Sequence, residues 1–441
     1  MSNPLDQILL SSSEPNFEMR LEELQKKMVL AARLAGYDSG DNKKVVDILR
    51  AIADHGDAEV AKYTRDFDQV DLSPDQFRVA HQQLVEAHNG IDSKLLASVR
   101  KAIDNVREYQ HRIFIGGRSN ESGSTGIRYT PIKRVGLCVP GAAAPLPSTV
   151  IMTAVPAQVA GVKEIAVVSP PRFNGTIHPV TLAVCHELGI EEVYRIGGVQ
   201  AVAALAAGTE TIAKVDMIVG PGNKWVQAAK KNVAGDYVGI DSVAGPSEVL
   251  IIANDQANPA WIAADMLSQA EHGTDSSAIV FTDSEEIGRA VLEALKEQVE
   301  QLSRAEEATE SLVSYSRIIV VASVDRAIEL ADDFATEHLE VQCGDQSRQI
   351  ASRVSNAGAI FIGPHTPVAV GDYWAGPSHT LPTGTRAKFS SALTSNDFVK
   401  SISIVEYTED QLAASADDII RLAEVEGLDA HANSVRIRQQ D

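Results

Sequence analysis

The chain has 441 residues, 44% hydrophobic and 22% charged, which excludes an intrinsically disordered chain, a collagen-like repeat and a disulfide scaffold; at about 150 residues per domain it implies two to four folding units. Sixty Asp and Glu against 39 Lys and Arg leave a net charge of −21, which opposes a phosphate backbone and argues against a nucleic-acid partner. Cys138, Cys185 and Cys343 lie far apart without CxxC spacing, so they build neither a disulfide framework nor a thiolate zinc cluster and point to a reducing compartment.

The first twenty residues lack the basic start, apolar run and small-residue cleavage site of a secretory signal, so the cytoplasm is the expected location. Residues 17–36, 41–57 and 92–114 space their apolar residues three and four apart and predict helices, with Asp41 and Asp92 as N-caps. Residues 135–162 carry no charge, a length that could cross a bilayer. Pro140, Pro145, Pro147 and Pro156 break that run, so a strand, a loop and a buried helix are expected and a membrane span is not.

From about Ile127 the rhythm changes to short β-branched runs alternating with helices. VGLCVP, EIAVVSPP, EVYRIGG and DMIVGPG predict strands, with helices at Pro147–Gly161, Thr176–Leu188, Val199–Ala207 and Asn223–Ala234. A second series begins at Glu248–Asp255 and continues through SAIVFTD, SRIIVVAS, HLEVQC and GAIFIG, with helices at Trp261–His272, Ser284–Leu302 and Val324–Phe334. This is the βαβ pattern of parallel sheets. The tail, residues 409–441, is helical with too little apolar surface to fold alone, and is expected to pack on something else, a second subunit being one candidate.

Four polar motifs interrupt this rhythm. In SQAEHG, Gln269 and His272 are three apart at a helix end and share a face, although in isolation a histidine near a glycine is more often a helix C-cap. In TEHLEV, Glu337 and His338 adjoin at a helix-to-strand junction, and both can serve one site only from a bent connection. A carboxylate beside an imidazole can divide proton abstraction and water activation; the plainer alternative is a surface Glu and a half-buried His. GDYWAGPSHTLPTG places Asp372 and His379 around a Gly- and Pro-rich turn, where loop residues often carry function. EGLDAHANSV holds Glu426 and His431, by itself a solvated helix end.

Together Gln269, His272, Asp372 and His431 form a mixed oxygen and nitrogen set suited to zinc, although an amide ligand is unusual and spacing alone does not single the set out. The glycine-rich VPGAAAPLP, GGVQAVAALAAGTE, GPGN and AGPSE follow strands and could expose N–H groups to a phosphate. None of them is GxGxxG.

VPGAAAPLPSTVIM, GGVQAVAALAAGTETIAKVD, GPGN, AGPSEVLIIA, SQAEHG, TEHL, GDYWAGPSHTLPT and EGLDAH resemble the histidinol dehydrogenase family in kind, order and separation from about Arg134 to Arg438. The resemblance implies two incomplete Rossmann-like units with helical N-terminal and C-terminal segments. Its expected parts are a helical residues 1–134 packing on the second α/β unit, a first Rossmann-like unit at 135–246, a second at 247–389, and a tail at 390–441 reaching a partner subunit. It implies a zinc-containing, NAD-dependent homodimer that oxidises L-histidinol through L-histidinaldehyde to L-histidine.

By the same resemblance Gln269, His272, Asp372 and His431 are the zinc ligands, Glu337 and His338 the acid/base pair, and Ser247, His338, His379 and Glu426 substrate contacts alongside the ligands. Cys138, Gln200 and Asn223 match dinucleotide-contacting positions, and Glu426 and His431 come from the partner chain. One departure is Cys138 with Ala142, where the family often has a tyrosine and a second glycine; altered NAD affinity is the expected result. The alternatives are a related dehydrogenase of another small polar alcohol such as a sulfonated diol, a zinc hydrolase, and a non-catalytic binding protein.

Overall fold

Apolar β-branched runs buried on both faces make strands of parallel sheets, and the intervening amphipathic segments cover them. The computed structural model describes residues 3–34, 39–141 and 145–439, without the side chains of 29–34 and 39. The N-terminal part comprises β1 (Leu9–Ser11), α1 (Phe17–Leu34), α2 (Ser39–His55), α3 (Asp57–Asp68), α4 (His81–Gly90) and α5 (Ser93–Ile113). After β2 (Thr125–Pro131) come β3 (Arg134–Cys138), α6 (Pro147–Ala160), β4 (Glu164–Val168), α7 (Pro179–Glu187), β5 (Glu192–Tyr194), α8 (Gly198–Ala207), β6 (Met217–Val219), α9 (Lys224–Val233) and β7 (Gly239–Ile240). The second series is β8 (Glu248–Ala253), α10 (Pro259–Ala270), β9 (Ser277–Thr282), α11 (Glu285–Val299), α12 (Ala305–Tyr315), β10 (Arg317–Val320), α13 (Val324–Phe334), β11 (His338–Gln342), α14 (Ser347–Ala351), β12 (Ala359–Ile362) and α15 (Val368–Tyr373). It is followed by β13 (Val399–Val405), α16 (Glu409–Val425) and α17 (Asp429–Arg436).

Two all-parallel sheets result, in the order β5-β4-β3-β6-β7 and β1-β10-β9-β8-β11-β12. This is the expected α/β class. In the second sheet alternate residues fill two cores, Val249, Ile251 and Ala253 on one face and Leu250, Ile252, Leu339 and Val341 on the other. Among the described residues no helix is long and apolar enough to cross a membrane; α6, the centre of the uncharged run, is buried along nearly its whole length.

The N-terminal part differs from the expectation that it packs on the second α/β unit. Leu5, Ile8, Leu10 and Phe17 do join the second sheet's cores, and β1 extends that sheet at its edge by pairing with β10. By contrast α2 and α3 pack on α8, α4 on α7 and α5 on α6, because Val45, Ile52 and Val60 share one core with Val202 of α8 and with Ala166 and Ile218 of the first sheet. Asp92 caps α5 through the N–H of Leu95, whereas Asp41 lies inside the first turn of α2 and pairs with Lys224.

Chain contacts divide the molecule into two units. The larger contains both parallel sheets, with the chain up to Ile113 and Ile132–Phe398; the smaller is Phe114–Pro131 with Val399–Asp441. In the smaller unit β2 and β13 pair antiparallel and α16 packs on α17. The tail beyond Phe398 takes its strand partner from residues 125–131.

Candidate active site

A cavity of about 1260 Å³ lies in the larger unit. The first sheet contributes Pro140 beyond β3 and Pro221, Gly222 and Asn223 beyond β6, at its carboxyl ends, where open parallel sheets place ligands. The second sheet contributes its amino ends: Ser247 precedes β8, and Glu337 and His338 open β11. Gln269 and His272 at the close of α10 and Asp372 in the last turn of α15 come to the same wall, since each helix runs back against its preceding strand.

The bent connection required for Glu337 and His338 is present. Ala335 ends α13 in the left-handed conformation at φ 45°, and both side chains that follow line the cavity. Main-chain groups of Glu248 fix them. Its N–H donates to Glu337 Oε2 at 2.9 Å, and its carbonyl oxygen lies 3.0 Å from His338 Nδ1. A carbonyl only accepts, so Nδ1 carries a proton and Nε2 is the nitrogen that gains or loses the second one. That Nε2 is buried without a hydrogen-bond partner and stands 3.7 Å from Asp372 Oδ1.

Burial and charge compete in this cluster. Burial pushes the Glu337 carboxyl up to about 7 even though His338 pulls it down. Burial, with the charge of Glu337, raises Glu248 to about 8. For His338 burial disfavours the cation, but the carboxylates of Glu337 and Asp372 outweigh it and hold the ring at about 9. Burial likewise opposes ionisation of Asp372, yet His338, His379 and His272 keep it below the ordinary carboxylate range.

The donor set fits a metal ion. Gln269 is 1% exposed, lines the cavity and leaves its Nε2 unpartnered; since amide oxygen and nitrogen are interchangeable by a flip, a buried amide end is free to ligate. His379 Nδ1 is also unpartnered. Among the described residues no three His, Cys, Asp or Glu side chains form a ready-made metal cluster. His272 and Asp372 are two such residues, and the remaining two members of the predicted set are the amide of Gln269 and His431.

The other predicted positions are dispersed. Asn223 lines the cavity and caps α9 by accepting from the N–H groups of Trp225 and Val226. Gln200 is fully buried in α8, donating to Asp68 at 3.3 Å with its Oε1 unpartnered. Cys138 ends β3, buried, its thiol pushed up to about 12 by burial. Neither Gln200 nor Cys138 is among the cavity-lining residues, and Ala142 lies outside the described residues. Glu426 and His431 belong to the smaller unit, both exposed, at the close of α16 and in α17.

Sequence reasoning passed over Glu248, Asp265, Glu340 and Gln342, all buried. One signal was available: His338, Glu340 and Gln342 alternate along β11, so a strand buried on both faces turns a polar edge to one of them.

The family model for histidinol dehydrogenase matches residues 34–439. Histidinol dehydrogenase of Rhodopirellula baltica is 45% identical over 399 residues, covering 90% of this chain and 86% of the relative. That of Thermosynechococcus vestitus is 45% identical over 411 residues, covering 91% and 95%. The crystal structure of histidinol dehydrogenase from Elizabethkingia anophelis superimposes with a TM-score of 0.86 at 35% identity, covering 90% of this chain and 92% of that one. The alternative of a dehydrogenase for a sulfonated diol finds no support among these relatives.

Proposed function

This chain belongs to the histidinol dehydrogenase family, an oxidoreductase of histidine biosynthesis, and from that premise we propose that the cavity carries out a four-electron, NAD-dependent, zinc-assisted oxidation of L-histidinol through L-histidinaldehyde to L-histidine. The observation that carries this reading is the unpartnered Nε2 of His338, the ring nitrogen free to exchange a proton, facing Asp372 beside the carboxyl of Glu337.

When bound, NAD accepts hydride and zinc supplies a Lewis-acidic anchor for an amine and a ring nitrogen. Gln269, His272 and Asp372 would hold the metal with His431 as the fourth ligand. In its neutral form His338 takes the hydroxyl proton at Nε2, its ring held in register by the Glu248 carbonyl. Glu337, with a carboxyl that titrates near 7, takes a proton from the water that adds to the aldehyde, since a base is most effective when its pKa lies near the working pH. Ser247, His379 and Glu426 orient the remaining polar groups of the substrate, and a site built for those groups rejects alcohols that lack them.

The dinucleotide is assigned to the first sheet. Asn223 opens a helix of ten residues at the cavity wall, where N–H groups favour an anionic phosphate, and Gln200 on α8 and Cys138 at the end of β3 are assigned to the same dinucleotide. The acting unit is a homodimer in the cytoplasm, with Glu426 and His431 supplied across the subunit boundary. Exposed Leu422, Val425 and Ile437 on the same helical tail give that tail an apolar face to cover.

The reading is tested by counting NADH per histidinol with and without a chelator. Two NADH per substrate, abolished by chelation and restored by zinc, is the expected result; one or none, or turnover indifferent to chelation, overturns it.

A further inference from the structure

Asp265 and Glu340 lie outside the cavity lining and take no part in the chemistry above. Both are buried, 8% and 1% exposed, and a single side-chain amide bridges their carboxyls. Gln342 Nε2 donates to Asp265 Oδ2 and to Glu340 Oε2, each at 2.9 Å. The main-chain N–H of Val368 donates to Glu340 Oε1 at 3.1 Å. Burial, with Asp265 adding to it for Glu340, raises both carboxyls above their ordinary range.

Three elements meet at this cluster. Asp265 stands on α10 one turn before Gln269, with His272 just beyond. Glu340 and Gln342 alternate with His338 on β11 and share its face. Val368 is the first residue of α15, whose last turn carries Asp372. An apolar filling would bury these positions at no greater cost, because satisfied buried polar groups rarely outperform well-packed hydrophobic ones in stability. What hydrogen bonds add is direction and register, the property by which partners behind a metal site tune it.

We infer that the Asp265–Glu340 pair, bridged by Gln342, is a positioning device that fixes α10 and α15 against β11 so that Gln269, His272 and Asp372 converge on one ion. The inference rests on the reading of those three residues as metal ligands.

The test measures zinc affinity of the metal-stripped full-length protein by competition with a chromogenic chelator, with thermal unfolding as the check on folding. Asp265→Leu removes the pair; Val368→Pro removes the donor to Glu340 and replaces one buried apolar side chain by another, at a first-turn position where proline is accepted. Both are expected to weaken zinc binding by about 10- to 100-fold, the usual effect of losing a partner behind a ligand. Asp265→Asn keeps an oxygen that accepts from Gln342 and is expected to restore affinity to nearly that of the unaltered protein. His272→Ala is the control and must lose zinc. If Asp265→Leu and Val368→Pro fold and bind zinc as the unaltered protein does while His272→Ala does not, the positioning role is overturned and the ligand set stands. If His272→Ala keeps full affinity, the ligand set itself is wrong and the inference falls with it. Should Asp265→Leu fail to fold, Val368→Pro decides alone.

Discussion

His338 Nδ1 lies 3.0 Å from the main-chain oxygen of Glu248, and the N–H of the same Glu248 holds Glu337 at 2.9 Å. One peptide position at the start of β8 thereby sets the tautomer of one proposed base and the orientation of the other. Because main-chain groups make these contacts, the arrangement survives changes to the Glu248 side chain, and the two functions can be separated by mutation.

The two proposed bases act at different steps, so their losses have different products. His338→Gln removes the acceptor for the hydroxyl proton and is expected to lower kcat for histidinol by about 10²- to 10⁴-fold, the usual worth of a positioned general base. Glu337→Gln spares that step and blocks addition of water to the aldehyde. Its NADH yield per histidinol should fall from two towards one, with histidinaldehyde trapped by semicarbazide. A yield of two at a uniformly reduced rate would remove Glu337 from the hydration step.

The Glu248 side chain predicts the pH dependence of stability. Its carboxyl is 4% exposed, accepts from the Gly384 N–H at 3.0 Å, and titrates at about 8 through burial and the charge of Glu337. An unfolded glutamate titrates at about 4.3, so between these values the folded protein holds a proton that the unfolded chain has released. Stability from this group is complete below about pH 4 and declines as pH rises to about 8, since ΔG falls with pH wherever the native state binds more protons. Glu248→Gln should flatten that decline in the metal-free protein. Urea midpoints at pH 5 and pH 8 measure it, and equal slopes for the two proteins would contradict the assignment.

Much of the architecture was legible because period and composition report burial directly. The strand at 248–253 is an unbroken apolar run after its first residue and is buried on both faces, and Val324–Phe334 appears with its predicted ends. What failed depended on contacts distant in sequence. Leu9–Ser11 is too short to announce a strand and becomes one only by pairing with β10. The amphipathic faces of α2 and α5 declare that they are covered but not by what, and the shared core with Ala166 and Ile218 decides it. In the site, the Glu337–His338 pair was legible as chemistry, while the Glu248 main chain that orients it carries no side-chain signature. The Gln342 amide that bridges Asp265 and Glu340 joins positions 75 residues apart in sequence, beyond any local pattern.

Cys138 stands where the family often has tyrosine, and its surroundings predict what restoring the ring does. The residue is 6% exposed and packs in the first sheet's core with Ala166 and Ile218. Gly220, at φ 110°, approaches the Cys138 carbonyl so closely that even a Cβ would collide with it. Cys138→Tyr therefore overfills a packed core and is expected to cost about 1–3 kcal/mol of stability, read from denaturant midpoints. It should also change the KM for NAD while leaving the KM for histidinol near its starting value. An unchanged KM for NAD would show that position 138 does not bear on the dinucleotide.

The loop at 220–223 is pinned from beneath by a buried ion pair. Lys230 is 1% exposed, and its Nζ donates to Asp241 Oδ1 at 2.5 Å and to the Gly220 carbonyl at 2.8 Å. Asp241 Oδ2 accepts from the Gly220 N–H at 2.7 Å, so both main-chain groups of Gly220 are held by the same pair. Asp241→Asn strands the lysine charge in the interior, and breaking a buried pair from one side costs about 3–5 kcal/mol. The double variant Lys230→Met/Asp241→Leu removes both charges and should recover most of that stability, because apolar replacements of buried pairs are commonly neutral. It does not restore the grip on Gly220. The expected pattern is a double variant near normal in urea midpoint but with a raised KM for NAD, since Asn223 and the start of α9 follow directly from the loosened loop. A double variant normal in both measurements would reduce the pair to a structural filling with no part in shaping the dinucleotide site.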